Sequence, residues 1–482
     1  MEFDIATLLP IAPEIFLLSA TCVMLVIDLF LPQERRFFTY GLALAILLAT
    51  LAVVLAVSDT QSQLLLHGAY IRDPMADVLK VALLAVALLA FIYSRRYLEQ
   101  RDIFQGEFYV LALLAVLGMM VMISAGGFLS LYLGLELLAL SLYALVAFDR
   151  KSRRGTEAAM KYFVLGAIAS GMLLYGISMI YGATGLLDFG GVAKAVAGGH
   201  ADRMVLLFGL VFVIIGIAFK FGAVPFHMWA PDVYEGAPVA VVAFMGSVPK
   251  IAAFAMAMRI LVEGLGGLGL GWQGWEGMLI VLAVLSLAVG NIVAVAQTNL
   301  KRMLAYSTIA HVGFIFMGVL AGEGAGHTAA MFYTITYALT AVGAFGLLVI
   351  LSRKGVEAEN LHDLKGLNQR SPWLAGMMML FMFSMAGVPT MVGFFAKLFI
   401  LDALVKADLL WLAVVAVFFS VIGAFYYVRV VKVIYFDKPI TQVPVSSAVD
   451  ARLAISVNGL AVLYYGVFPA SLLTICRVAV GG

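Results

Sequence analysis

The stretch MVLLFGLVFVIIGIAFKFGAVPFHMWA, residues 204–230, indicates whether this chain folds in water or in a lipid bilayer. The stretch is long enough to cross a bilayer, which takes about 20 apolar residues. It nevertheless contains Lys220, Pro225 and His227. A lysine is costly in hydrocarbon, and a proline releases backbone groups that lipid cannot satisfy. Such an interruption is tolerated only where the backbone faces protein or lines a water-filled cavity.

Apolar stretches of this kind recur along the whole chain. Of its 482 residues, 64% are apolar and 12% are charged, and the mean hydropathy is +1.06. Soluble domains are about half apolar and about a quarter charged. We therefore predict an all-α polytopic membrane protein with about fourteen transmembrane helices. The predicted spans are residues 9–31, 37–57, 75–94, 107–125, 128–148, 156–181, 204–230, 238–262, 275–297, 302–321, 328–352, 372–405, 409–436 and 453–474.

The basic residues other than Lys80, Lys161, Lys220, Lys250 and Lys397 are sorted between the two sides of the membrane. One side holds 19 of them, namely Arg35, Arg36, Arg95, Arg96, Arg101, Arg150, Lys151, Arg153, Arg154, Lys301, Arg302, Arg353, Lys354, Lys365, Arg370, Arg429, Lys432, Lys438 and Arg452. The other side holds 6, namely Arg72, Lys194, Arg203, Arg259, Lys406 and Arg477. By the positive-inside rule, this distribution predicts that both termini lie on the outer side.

Charged side chains within the spans are the candidate functional residues. Glu136 lies in the fifth span, Lys220 in the seventh, Lys250 in the eighth and Lys397 in the twelfth. Each costs about 2.5–3.5 kcal/mol at the membrane centre, so four cost about 10–14 kcal/mol, as much as the net stability of a domain. We expect them to face the protein interior and to contact water or one another. A static ion pair is the alternative for Lys220 and Lys250.

Two further lysines lie near the ends of spans. Lys161 follows Glu157 by one helical turn, so a snorkelling side chain with an i,i+4 pair competes with a functional role. Lys80 follows Asp77 by three residues and is interpreted as structural.

Two histidines within the apolar spans are candidate relay groups. Histidine titrates near neutral pH, which suits His227 and His311 for passing protons. The competing interpretation is that both are hydrogen-bonded core residues.

Two overlong spans are interrupted beside a lysine. The seventh contains Pro225 after Lys220, and the twelfth contains MFSMAGVPTMVGFFAKLFIL, residues 382–401, with Lys397 near its end. The spacing of five helices predicts an internal repeat, with helices 4–8 and 9–13 as inverted copies and broken helices 7 and 12. The predicted parts are three N-terminal helices (1–100), the two repeats (107–262 and 275–436) and a C-terminal helix (450–482).

This arrangement predicts an ion pathway. A lysine removed from water holds its proton less tightly, and a nearby carboxylate restores the affinity. Lys220 is expected to keep its proton while paired with Glu136 and to release it when the pair separates. The proton would then pass through water to Lys250 and on to Lys397.

Four segments together resemble a known family. LYLGLELLALSLYAL (131–145), FKFGAVPFHMWAPDVYEGAP (219–238), TNLKRMLAYSTIAHVGF (298–314) and GVPTMVGFFAKLFIL (387–401) are similar to the antiporter-like membrane subunits of the proton-pumping NADH:quinone oxidoreductase, respiratory complex I. That family is related to Mrp-type cation/proton antiporters. The resemblance covers essentially the whole chain.

The resemblance implies a role for each candidate residue. Glu136 and Lys220 match the coupling pair of the family, and Lys161 matches its modulator. Lys250 matches the central connecting lysine, and Lys397 the residue that leads to the outer half-channel. His227 and His311 match polar members of the central hydrophilic axis.

The resemblance also implies partners and a location. We expect a non-redox subunit of the translocase in the bacterial cytoplasmic (inner) membrane, beside the antiporter-like subunits M and L and the small subunit K. We expect no metal and no cofactor in this chain; NADH, FMN, iron–sulfur clusters and quinone belong to other subunits. GLGGLG, residues 264–269, matches a dinucleotide pattern by letter, but no strand is predicted before it. The alternatives are an Mrp-type antiporter, a membrane subunit of an energy-converting hydrogenase, and a non-transporting scaffold.

Overall fold

The computed structural model describes residues 8–199, 201–269, 271–322, 324–352, 357–439, 445 and 448–481. Arg353 and Lys354, which entered the count of basic residues, lie outside this part of the chain. In chain order the α-helices are α1 (Ala12–Leu29), α2 (Phe37–Val57), α3 (Pro74–Gln100), α4 (Gly106–Ile123), α5 (Phe128–Val146), α6 (Arg153–Thr184), α7 (Phe189–Ala197), α8 (Arg203–Phe221), α9 (Trp229–Gly236), α10 (Val239–Met245), α11 (Val248–Ala257), α12 (Trp275–Ala296), α13 (Leu300–Leu320), α14 (Ala325–Leu351), α15 (Leu367–Arg370), α16 (Pro372–Ala386), α17 (Val392–Lys406), α18 (Leu410–Phe436), α19 (Val449–Val467) and α20 (Pro469–Ala479).

The described residues contain 12 helical segments that are long and apolar enough to cross a membrane. The number becomes 13 if α19 and α20, which meet at an angle of 83°, form one bent span. The predicted membrane fold is confirmed. Fourteen spans would further require that α16 and α17 together cross the membrane as one broken helix, so the exact number and the inverted repeat stay predictions.

Both interruptions predicted from the sequence occur, but a glycine ends each helix before the proline is reached. Helix α8 ends at Phe221, and Gly222 adopts a left-handed conformation with φ of 74°. Helix α16 ends at Ala386, and Gly387 has φ of 86°. Glycine adopts this conformation without the steric penalty of a side chain, so it stops a helix sharply. Lys220 is therefore the penultimate residue of a helix and does not lie at the middle of one.

The central helices differ from the peripheral ones in burial. The segment Val239–Gly264, which contains α10, α11 and a π-helical turn at Met258–Gly264, is 100% buried across its most apolar window. The corresponding values are 89% for α13 and 83% for α14, but only 33% for α6 and α18. Since apolar residues cover the exposed flanks, α6 and α18 are suited to face lipid or another membrane subunit. Two of the candidate residues, Lys250 and His311, thus lie within these three most buried segments.

Buried ion pairs attach the N-terminal helices to the rest of the protein. Lys80 on α3 is 1% exposed, and its Nζ lies 2.6 Å from Glu14 Oε1 on α1, so its ion-pair partner is Glu14 and not the nearby Asp77. Arg259 is fully buried and makes two bonds of 2.6 and 2.8 Å to the Asp73 carboxylate, which also caps the start of α3. These contacts fix α3 against α1 and against the end of α11. The structural interpretation of Lys80 agrees with this arrangement.

Candidate functional site

Glu136, Ser170 and Lys220 line one small cavity, which we call the inner chamber. Its volume is about 30 Å³, and it lies between α5, α6 and α8. Ser170 Oγ donates a hydrogen bond to the Glu136 carboxylate and lies 3.1 Å from the Tyr132 hydroxyl. A polar cavity needs roughly 10–15 Å³ to hold one water molecule, so the inner chamber has room for water.

Lys220 shares the inner chamber with Glu136 without touching it. No ion pair within 4.0 Å joins these two described residues, and no described residue forms a hydrogen bond with Lys220 Nζ. Lys220 is partly exposed on the surface of the isolated chain. The structure thus places the predicted pair around one chamber in a separated arrangement.

Lys250 binds the end of the first broken helix. Its side chain is 3% exposed, and its Nζ donates a 2.7 Å hydrogen bond to the carbonyl oxygen of Phe221, the last residue of α8. The amide of Val224, in the turn that follows, donates to Ser286 Oγ at 3.0 Å. The last carbonyls of a helix lack partners within it and carry partial negative charge, so a buried cation is stabilised there. This contact brings Lys250 next to the helix that carries Lys220.

Lys397 repeats this contact at the second interruption. Its Nζ donates to the carbonyl oxygen of Ala386 at 3.0 Å, and Ala386 immediately precedes Gly387 just as Phe221 precedes Gly222. A second bond of 2.8 Å runs to Ser420 Oγ on α18. In each half of the chain, a lysine therefore binds the last carbonyl of an interrupted helix.

His311 lies at the centre of a buried polar cluster on α13. Its Nδ1 is 2.6 Å from the Tyr333 hydroxyl, and its Nε2 is 3.0 Å from the Tyr427 hydroxyl, which in turn lies 2.5 Å from Ser307 Oγ. A cavity of about 20 Å³ adjoins this cluster and reaches Ala396, the neighbour of Lys397. His311 therefore lies beside the second interruption. No hydrogen bond between described residues joins it to Lys250.

His227 lies in the turn between α8 and α9, apart from the His311 cluster. It is half-buried, and its Nδ1 is buried without a hydrogen-bond partner among the described residues. Its ring centroid is 6.4 Å from that of Tyr306. A buried nitrogen without a partner is costly unless water reaches it. The structure thus places His227 at the first interruption, without a contact that defines its role.

Lys161 makes the predicted contact with Glu157, at 3.0 Å, and a second contact that the sequence did not reveal. Its Nζ also lies 2.9 Å from Asp232 Oδ2 on α9, the helix that follows the first interruption. Burial alone would raise the pKa of Asp232, but hydrogen bonds from Lys161 and Arg302 outweigh it and lower that pKa below its usual range. Lys161 thus ties α6 to α9 near the inner chamber.

The Lys161 contacts belong to a longer series of ion pairs, which we call the ion-pair chain. Cations and carboxylates alternate along it, with nitrogen–oxygen distances from 2.8 to 3.5 Å. Its members, in order of contact, are Arg101, Glu357, Lys301, Glu359, Arg154, Glu235, Arg302, Asp232, Lys161 and Glu157. It joins the end of α3, the start of α6, α9, the start of α13 and the loop after α14. Of these contacts the sequence predicted only that of Lys161 with Glu157, although the acidic pair in PDVYEG (231–236) directly after the interruption was an available signal.

Fold and site together define a polytopic membrane protein whose interior holds titratable side chains at two helix interruptions, an arrangement typical of ion-translocating membrane subunits. A sequence profile of the family described as NADH:quinone oxidoreductase/Mrp antiporter, transmembrane, matches residues 125–423. The chain is 55% identical over 481 residues to the NADH-quinone oxidoreductase subunit N of Thioalkalivibrio sulfidiphilus, with 100% of both chains covered. It is 53% identical to subunit N of Thiobacillus denitrificans, with 100% and 99% covered. The chain belongs to the subunit N family of antiporter-like membrane subunits of NADH:quinone oxidoreductase.

Chains of three solved membrane complexes share this fold, and one of them is a chain of respiratory complex I. A chain of respiratory complex I from Thermus thermophilus superposes with a TM-score of 0.83 at 30% identity, covering 97% of this chain and 100% of that one. A chain of an archaeal membrane-bound sulfane sulfur reductase gives 0.88 at 25% identity, with 98% and 97% covered. A chain of the Mrp complex of a Dietzia species gives 0.87 at 20% identity, with 99% and 97% covered, and shows the shared fold. The identities to subunit N favour this family over the Mrp-type alternative.

Proposed function

We propose that this chain translocates protons as a membrane subunit of NADH:quinone oxidoreductase, driven by quinone reduction elsewhere in the complex. In this proposal the chain performs no redox step and holds no cofactor of its own. One observation carries the proposal. Lys250 and Lys397 each bind the last carbonyl of an interrupted helix, so a proton-binding group lies at an interruption in each half of the chain. Lys250 belongs to the helix after the first interrupted span, and Lys397 belongs to the second part of the other interrupted span.

The proposed path begins at the inner chamber and ends at Lys397. Glu136 and Lys220 form the switching pair, and Lys161 tunes it from the neighbouring ion-pair chain. Lys250 receives the proton beside the end of α8. His311 and its tyrosine hydroxyls connect the centre to Lys397, because hydroxyl and imidazole groups can both give and accept protons.

His227 is proposed to contact water at the first interruption. Its partnerless buried Nδ1 supports this role, since water is the remaining partner that the site can offer. A water molecule there would lie next to the turn that follows α8.

The proposed partners are the antiporter-like subunits M and L and the small subunit K. The apolar exposed flanks of α6 and α18 support contacts of this kind within a membrane arm. The proposed location is the bacterial cytoplasmic membrane, with both termini on the outer side, as the 19-to-6 distribution of basic residues favours.

The test of function is NADH-driven proton uptake into inverted membrane vesicles, with NADH oxidation followed in parallel. Lys220→Ala should lower uptake per NADH oxidised while the complex still assembles. Lys194→Ala, at an exposed lysine on a short helix outside the candidate spans, is the matched control and should leave uptake unchanged. Normal uptake with Lys220→Ala would overturn the proposal. Uptake that requires sodium would favour an Mrp-type exchange instead.

The test of orientation is a set of reporter fusions. Fusions after Arg154 and after Lys365 should report the cytoplasmic side, and a fusion at the C-terminus should report the outer side. A cytoplasmic C-terminus would contradict the proposed orientation. Together with a cytoplasmic report from the fusion after Lys365, it would also contradict the three spans predicted between that loop and the C-terminus.

A further inference from the structure

Helix α9 separates two cavities of different character. On one side lies the inner chamber with Glu136, Ser170 and Lys220. On the other side lies a cavity of about 150 Å³ lined by Glu157, Lys161, Asp232 and Glu235, which we call the charged vestibule. Both cavities are lined by α6 and α9, at positions about one helical turn apart. The two helices therefore form the wall between them.

Two aromatic rings occupy that wall. Tyr162 on α6 and Trp229 on α9 are stacked, with centroids 4.7 Å apart and planes inclined by 16°. They are 4% and 5% exposed, and both line the inner chamber. Lys161 and Asp232, their near neighbours on the same two helices, line the charged vestibule instead. The stacked pair thus lies between the linings of the two cavities.

Three kinds of contact hold helix α9 and its Trp229 ring in place: a hydrogen bond, close packing and ion pairs. Its Nε1 donates a 3.1 Å hydrogen bond to the carbonyl oxygen of Phe219, beside Lys220 in the last turn of α8. At the far end of α9, Gly236 packs so closely on α6 that an added Cβ would lie 2.5 Å from Ala158 Cβ. Asp232 and Glu235 hold α9 to its cationic neighbours through the ion-pair chain. Helix α9 thus forms a short lid beside the inner chamber. Ion pairs hold its C-terminal end, and the stacked Trp229 ring holds its N-terminal end.

We propose that Tyr162 and Trp229 form a gate that controls water access from the charged vestibule to the inner chamber. With the rings stacked, the apolar contact excludes water, and a proton in the vestibule cannot reach Glu136 or Lys220. When α9 shifts, the rings part, and a hydrated proton crosses from the vestibule carboxylates into the chamber. This inference rests on the proposed function, because the gate would admit the protons that the chain then translocates.

The experiment measures access to the inner chamber directly, without a transport assay. Ala169→Cys places a thiol in the chamber lining, and Glu157→Cys places one in the vestibule as the reference. Assembled complex in inverted vesicles is treated with a permanently charged methanethiosulfonate reagent, which does not cross lipid. Modification of each thiol in this chain is followed by peptide mass spectrometry.

The expected result is a difference in labelling rate that depends on the rings. With native rings, the thiol of Ala169→Cys should react far more slowly than that of Glu157→Cys. Trp229→Leu should speed the chamber reaction by about two- to tenfold, the factor that the free energy of a stacked aromatic pair gives. Trp229→Phe keeps a ring for stacking but loses the Nε1 bond to Phe219, so as the comparison variant it should label at a rate between those of the native and leucine forms.

Tyr162→Leu tests the same contact from α6, should Trp229→Leu fail to assemble. The two leucine changes together should be less than additive, because both remove one contact. Equal labelling of the two thiols with native rings, or an unchanged chamber rate in both leucine variants, would overturn the gate. If the leucine variants label faster while Lys220→Ala takes up protons normally, the gate is supported and the proposed function is contradicted.

Discussion

Substitution of Lys250 separates a proton carrier from a fixed structural cation. The side chain is 3% exposed, and its Nζ lies 2.7 Å from the carbonyl oxygen of Phe221 at the end of α8. Three replacements differ in what they keep. Methionine keeps neither donor nor charge, glutamine keeps a donor, and arginine keeps both the donor and the charge.

The free energies indicate that the protein tolerates even Lys250→Met. A hydrogen bond from a charged group contributes about 1.5–3 kcal/mol, and a cation at a helix C-terminus adds about 0.3–1 kcal/mol. Against this, a charge at the membrane centre costs about 2.5–3.5 kcal/mol. The two sums nearly cancel, so Lys250→Met should change the free energy of unfolding by less than about 1.5 kcal/mol.

Proton transport should respond differently from stability. A carrier must bind and release a proton, which glutamine and methionine cannot do and which arginine does not do at physiological pH. All three variants should therefore assemble and show low NADH-driven proton uptake. A fixed structural cation at this place predicts instead that Lys250→Arg transports normally.

The assay combines two measurements on inverted membrane vesicles. The amount of assembled complex is read from native gels, and proton uptake is read from a pH-sensitive dye at matched NADH oxidation. Lys194→Arg, at the exposed control lysine, monitors any general effect of the exchange. Full uptake in Lys250→Arg, with the control unchanged, would refute the relay role of Lys250.

Three further predictions address other parts of the site. Glu136→Ala and Lys220→Ala should each lower proton uptake, and the double variant should lose far less than the sum; full additivity in the cycle would show that the two residues act separately. Lys397→Arg should transport poorly because arginine keeps its proton, whereas Lys397→Glu should retain more proton uptake than Lys397→Ala. If the arginine variant is active and the glutamate variant inactive, Lys397 supplies a fixed charge and carries no proton. Lys80→Met should destabilise the complex by about 3–5 kcal/mol, because it leaves Glu14 buried and unpaired, and Glu14→Gln should restore part of the loss; thermal unfolding in mild detergent measures both, and an unaffected single variant would contradict the buried pair.

The membrane fold could be predicted from the sequence because lipid imposes a simple rule. Every backbone group must be satisfied within the chain, so apolar runs of sufficient length become helices. The predicted limits of the seventh span, 204–230, joined α8 to the turn beyond it. The helix instead ends at Phe221, because Gly222 adopts the left-handed conformation before Pro225 is reached. In both segments a glycine precedes the proline, at Gly222 before Pro225 and at Gly387 before Pro389, and this order was the local signal that glycine sets the end of each helix.

The candidate residues could be predicted because a buried charge is rarely kept without a reason. Their partners could not, because the contacts join distant parts of the chain. Lys250 binds a carbonyl 29 residues away, and Arg154 contacts Glu359, 205 residues away. A local pattern contains no information about such pairs. The i,i+4 contact of Lys161 with Glu157 was predictable for the opposite reason, since helix geometry alone brings those two side chains together.

Cations and carboxylates alternate along the ion-pair chain, and this alternation affects how ions in solution approach the charged vestibule. Its five cations and five carboxylates leave the chain as a whole without net charge. Five of the ten, Arg154, Glu157, Lys161, Asp232 and Glu235, line the charged vestibule. The ion-pair chain lies on the side to which the sequence assigns 19 basic residues, and four of those residues are its members, each paired with carboxylates. Dissolved salt changes association rates chiefly by screening a net local field. Proton capture at this mouth should therefore depend less on electrolyte concentration than capture at a mouth lined by charges of one sign.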